Sequence, residues 1–131
     1  MHKRAIFLLA FLSSTLLALA GCGGGGGDEE PFGVCPENSL AQQMTGAMLI
    51  ASRCQICHSV AVTGAARNGA TPGIDFDTAA DVDKNADRVF ARAVQQGTMP
   101  PAFQPGMPLD ATEKEAVRAY LACDSMLEPA P

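Results

Sequence analysis

The residues best placed to do chemistry are Cys54-Gln55-Ile56-Cys57-His58. Two thiols three positions apart, followed at once by an imidazole, form the C-x-x-C-H pattern of c-type haem attachment. Each part has a task. The thiols of Cys54 and Cys57 can add to the two vinyl groups on one porphyrin edge, forming thioethers. The imidazole of His58 then reaches under the ring and binds iron as the proximal ligand. Two other chemistries use paired cysteines. A dithiol redox pair is expected between a strand and a helix, whereas the flanks here have helical patterning. A structural zinc site wants four convergent ligands, and a histidine directly beside the second cysteine is poorly placed to join them.

The N-terminal segment sets the compartment. Lys3 and Arg4 precede an apolar run from Ala5 to Ala20, broken only by Ser13, Ser14 and Thr15. That run is short for the ~30 Å of hydrocarbon a spanning helix must cross, and it suits a secretory signal. It ends in Leu19-Ala20-Gly21-Cys22, which resembles the lipobox of bacterial lipoproteins. The resemblance implies that residues 1–21 are a signal peptide and that Cys22 receives a diacylglycerol before cleavage. A plain signal peptide or an uncleaved anchor is the alternative. At ~0.8 kcal/mol per buried CH₂, two or three acyl chains anchor a protein stably. In that family an Asp after the modified cysteine favours retention in the inner membrane. Gly23 stands there instead, so the expected location is the outer membrane, facing the periplasm. Gly23 to Gly27, then Asp28, Glu29, Glu30 and Pro31, cannot bury apolar surface and read as a flexible tether. Residues 22–37 thus link the anchor to a folded domain over 38–127, with 128–131 as a tail. Export also suits haem attachment, which takes place outside the cytoplasm.

Cleavage removes His2 with Lys3 and Arg4, leaving His58 as the one histidine. A second axial ligand from this chain is therefore a methionine. Met44 and Met48 fall in the helix leading to the motif and are assigned to core packing, and Met126 lies in the tail. Met99 sits in Gly97-Thr98-Met99-Pro100-Pro101-Ala102-Phe103, where prolines fix φ and leave the loop little entropy to lose. Met107, in Gly106-Met107-Pro108, is a competitor and an open or exchangeable site is the further alternative; Met99 is the expected ligand.

Three helices can position these groups. Ser39-x-x-Gln42 resembles a capping box, and Leu40, Met44, Ala47, Met48, Ala51 and Cys54 follow at spacings of three and four. Ala86, Val89, Phe90, Ala93 and Val94 form a second stripe, closed by Gly97 as a C′ residue. Asp110-x-x-Glu113 opens a third, with Ala116, Val117, Tyr120, Leu121 and Cys123 inward. Ser59 to about Asp81 is helix-poor, with Gly64, Gly69, Pro72 and Gly73 marking a loop. No alternating strand is present, and the expected class is all-α.

From Gly46 to Cys123 the sequence resembles small monohaem cytochromes c of the Met/His-ligated class. The resemblance implies a cytochrome c fold with helices wrapped around one covalent haem c. It implies a Gly and a bulky residue eight and four positions before the first haem cysteine, here Gly46 and Ile50. The matching contact on the last helix would be Val117 with Tyr120, where glycine lets two backbones approach. A proline carbonyl is expected to receive the proximal imidazole N–H. Pro72 is the nearest proline, though two residues late, so Thr71 or Ala70 are alternatives. Arg67 and Asn68 could bond a propionate, or Arg67 could simply be solvated.

Of the five cysteines, one is assigned to lipid and two to haem. Cys35 and Cys123 remain, flanking helices that pack together in this fold. A disulfide is expected between them in an exported protein, with two free thiols as the alternative.

The chain has 131 residues and a formal charge of −5, which sets nucleic acid aside because phosphates would repel it. Its aromatic content is 5% with no Trp, so a porphyrin would supply missing core bulk. A six-coordinate iron has no vacant site, and no separate catalytic acid or base is evident, so no enzyme activity is expected. The expected function is one-electron transfer, Fe(III) to Fe(II), by a membrane-tethered carrier whose net charge suits a redox partner with a basic docking surface. The alternatives are a gas or small-ligand sensor with a displaceable methionine, or a relay subunit of a larger respiratory complex.

Overall fold

The computed structural model describes residues 31–103, 108–123 and 127–129. The expected signal peptide, Cys22, most of the tether, Met107 and Met126 lie outside the described residues. Among the described residues there are four α-helices. They are α1 (Leu40–Leu49), α2 (Ala79–Lys84), α3 (Ala86–Val89) and α4 (Ala111–Ala122). Two of them run on into wider π-helical segments, α1 through Ile50–Cys54 and α3 through Phe90–Gln95. A short 3₁₀ turn covers Gly64–Arg67. Among the described residues there is no strand, and no helix is long and apolar enough to cross a membrane.

The core forms where α1 crosses α4. A Cβ added at Gly46 would lie 2.5 Å from the Ala116 carbonyl oxygen and 2.6 Å from the Tyr120 Cβ. Only glycine permits that approach. The expected crossing partner Tyr120 is present, the other atoms nearest Gly46 belong to Ala116, and Val117 is buried in the same core as Ile50. Ile50, Val82, Val117 and Tyr120 are the largest fully buried side chains, each worth roughly 1.5–3 kcal/mol of apolar burial. The Tyr120 hydroxyl is satisfied by donating to the Leu127 carbonyl at 2.6 Å.

Caps fix where two helices begin. Asp110 accepts from the Glu113 N–H at 2.8 Å while Glu113 accepts from the Asp110 N–H at 3.0 Å, the reciprocal box expected there. Thr78 and Asp81 build the same box for α2, a helix that the glycine-rich stretch before it concealed. Ser39 does not cap α1. Its hydroxyl is buried, accepts from the Gln43 amide and lies 3.6 Å from the Cys123 sulfur.

The expected inward face of α1 is also corrected. Leu40, Met44 and Met48 are exposed, at 60%, 53% and 60%, whereas Gly46, Ala47, Leu49 and Ile50 face α4. At 100° per residue the buried arc lies roughly a third of a turn from the expected one. Apolar residues lie on more than one side of the helix, so spacing alone could not choose the face; the glycine that admits α4 does. At the far end of this pair Cys35 is disulfide-bonded to Cys123, Cα atoms 4.9 Å apart across a separation of 88 residues. Cys54 and Cys57 are the free cysteines among the described residues.

Candidate functional site

Both π-helical segments end at the site. In the first, the Gln55 N–H reaches back five residues to the Ile50 carbonyl, a wider turn than an α-helix makes. A tight turn comes next, in which the Cys57 and His58 N–H groups both bond the Cys54 carbonyl at 3.1 and 2.9 Å. That turn sets Cys54, Cys57 and His58 along one wall of a cleft.

The loop after His58 returns to grip it. The Phe76 N–H bonds the His58 carbonyl at 2.8 Å, the Gln55 side-chain amide donates to the Phe76 carbonyl at 2.8 Å, and the Phe76 ring lies 4.9 Å from the imidazole. His58 Nδ1 bonds the carbonyl of Ile74 at 2.7 Å. A carbonyl oxygen can only accept, so Nδ1 carries the hydrogen and Nε2 of the neutral ring keeps its lone pair. The acceptor is therefore Ile74, not Pro72, Thr71 or Ala70. The chain must run past all three before it comes close enough.

Arg67 is buried, and its nitrogens already face protein oxygens. They donate to the carbonyls of Ala70, Ser59, Val62, Thr71 and Ile74 and to the Asp75 carboxylate. Six acceptors meet five N–H donors, which leaves none for the expected propionate contact. Arg67 ties the loop instead. Asn68 adopts the left-handed conformation that closes the 3₁₀ turn.

The other wall comes from the second π-helical segment and the proline-containing turn after it. Gly97 has φ +62°, the left-handed turn expected at a helix end. The N–H groups of Thr98 and Met99 then both bond the Arg92 carbonyl, at 2.8 and 3.1 Å. Pro100 is buried, while the Met99 side chain is 43% exposed at the cleft. The Met99–Pro100 peptide is cis.

The cleft is about 280 Å³ and brings together Cys54, Cys57, His58 and Met99 with Ile56, Ile74, Phe76, Val89, Ala93 and Phe103. Among its described lining residues are four arginines, Arg53, Arg67, Arg88 and Arg92, and no carboxylate. Two are internally matched, Arg53 by Glu113 and Arg67 by Asp75. Arg88 and Arg92 are exposed. The local charge is thus opposite to the formal −5 of the chain. An arginine pair four residues apart on a helix was the available sequence signal for this rim.

Burial pushes the Cys54 thiol up to about 12; the neighbouring Cys57 adds to the rise and Arg53 offsets part of it. A thiol-exchange centre needs the opposite shift, toward a thiolate at neutral pH. Among the described residues no three His, Cys, Asp or Glu side chains converge to hold a metal ion by themselves. Comparison with protein families, curated proteins and solved structures finds no match, so function rests on these residues and their geometry.

Proposed function

We propose that this chain carries one covalently attached haem c and transfers single electrons while tethered to a membrane through a lipid on Cys22. Cys54 and Cys57 would hold the porphyrin as thioethers, and His58 through Nε2 and Met99 through Sδ would hold its iron. When bound, the group supplies a one-electron Fe(III)/Fe(II) couple. The supporting observation is that both free thiols, an imidazole with its proton fixed on the far nitrogen, and the thioether of Met99 line a single cleft. The donor set fits. The two free thiols suit thioether formation, Nε2 presents a lone pair, and the exposed apolar side chains of Ile56, Met99 and Phe103 gain cover from a flat apolar group.

The chain's own part is to bind, orient and exclude water. Ile74 and Phe76 hold the imidazole, and Arg92 holds the Met99 backbone. Docking depends on local more than net charge. The exposed Arg88 and Arg92 at the rim therefore favour a partner that is acidic where it meets the cleft, in place of the basic surface expected from composition. Ferric optical spectra of the exported wild type and Met99→Ala test the proposal. The wild type should be low-spin with a sulfur-to-iron band that Met99→Ala loses. A high-spin wild type, or one that binds CO at once when reduced, would instead favour the sensor alternative, for which the exposure of Met99 is the relevant observation.

A further inference from the structure

Arg67 is a buried cation whose acceptors are not scattered. It holds five backbone carbonyls of the single loop that begins at His58, and it pairs with Asp75 at 2.7 Å. One of those carbonyls, Ser59, is the residue next to His58. Another, Ile74, is the acceptor of the His58 Nδ1–H. The Ile74 oxygen therefore takes the imidazole at 2.7 Å and the guanidinium at 3.2 Å. The loop's other bonds are short backbone turns, with Asp77 on Ser59 and Val60 and the Phe76 N–H on the His58 carbonyl; among the described residues, only Arg67 ties the Ile74 carbonyl to Ser59 and Val62 across the loop. Gly64, Gly69 and Gly73 all have positive φ, and a Cβ at any of them would meet nothing within 4 Å.

We infer that Arg67 is a positioning residue for His58: it clamps the Ile74 carbonyl in the one place where that oxygen holds Nδ1–H, and so fixes the tautomer and the direction of Nε2. A planar fork of five donors can hold several carbonyls at once, whereas a lysine is a point charge on a flexible stem. The carbonyl bond to Nδ1–H also makes the ring a better donor through Nε2. The inference rests on the haem assignment above and deepens it, since it names what sets the strength of the proximal ligand.

The test uses the full exported chain as wild type, Arg67→Lys and Asp75→Asn. The readouts are haem content, thermal midpoint, exchange of the His58 Nδ1–H by NMR in the reduced state, and midpoint potential. Arg67→Lys keeps the charge but loses the fork. It should exchange Nδ1–H at least tenfold faster and shift the couple about tenfold toward Fe(II), ~59 mV upward for one electron. Asp75→Asn leaves the fork on Ile74, so it should lower the thermal midpoint with Nδ1–H exchange as in the wild type. Arg67→Lys that melts earlier with unchanged exchange and potential overturns the inference and leaves haem binding intact. A colourless wild type overturns both. Should Arg67→Lys not accumulate, the wild type alone decides. Its Nδ1–H should exchange together with the amides of Ala70 and Ile74 as denaturant is raised, and exchange only with the amides of α4 overturns the inference.

Discussion

The crossing of α1 with α4 and the loop that wraps His58 are built on different physics. At the crossing, contact is between close-packed backbones, enforced by a missing Cβ at Gly46 and sealed by Tyr120. In the loop, order comes from oriented polar groups: Arg67 on five carbonyls, and Asp77 on the Ser59 hydroxyl and the Val60 N–H. The first arrangement tolerates no added volume, and the second tolerates no lost donor. A scaffold that is dry on one side can thus carry a polar clamp on the other without sharing its failure modes.

Four variants can break or sharpen that contrast. The largest effect is expected from Cys35→Ser with Cys123→Ser, which frees a closure of 88 residues at the α1–α4 end. The chain-entropy model gives a loss of ~4–5 kcal/mol, read as a lower denaturant midpoint. Gly46→Ala should cost about 3 kcal/mol or more, because the new methyl meets backbone that cannot move aside. At about 4–8 °C per kcal/mol for a domain of roughly this size, a thermal scan resolves it easily; an unchanged midpoint would contradict the crossing. Asp77→Ala removes an acceptor from the loop alone, for ~1–2 kcal/mol. Hydrogen exchange should then rise at Val60 and its neighbours while the α4 amides keep their protection. Met44→Gln, on the exposed face of α1, should change stability by less than ~0.5 kcal/mol. A large loss there would mean that face is covered.

The same contrast separates what could be read in the sequence from what could not. Gly46 with Tyr120 was legible through the family resemblance, and Asp110 with Glu113 from the residues themselves, since their side chains are the cap. The face of α1 was not, because Leu40, Met44 and Met48 are as apolar as the residues that α4 covers. The Ile74 acceptor was not either. Every residue carries a carbonyl, and only the path of the loop decides which one meets Nδ1. Arg67 looked like a group for an outside anion because an arginine's acceptors leave no trace in its own letter. Net charge likewise says nothing of where Arg88 and Arg92 stand.

Retention of porphyrin through denaturation tests the central claim most directly. The exported wild type, unfolded in guanidinium and extracted with acidified acetone, should keep its colour in the protein fraction, and Cys54→Ala with Cys57→Ala should lose it. A colourless wild type, or a pigment that passes entirely into the acetone, would contradict the account.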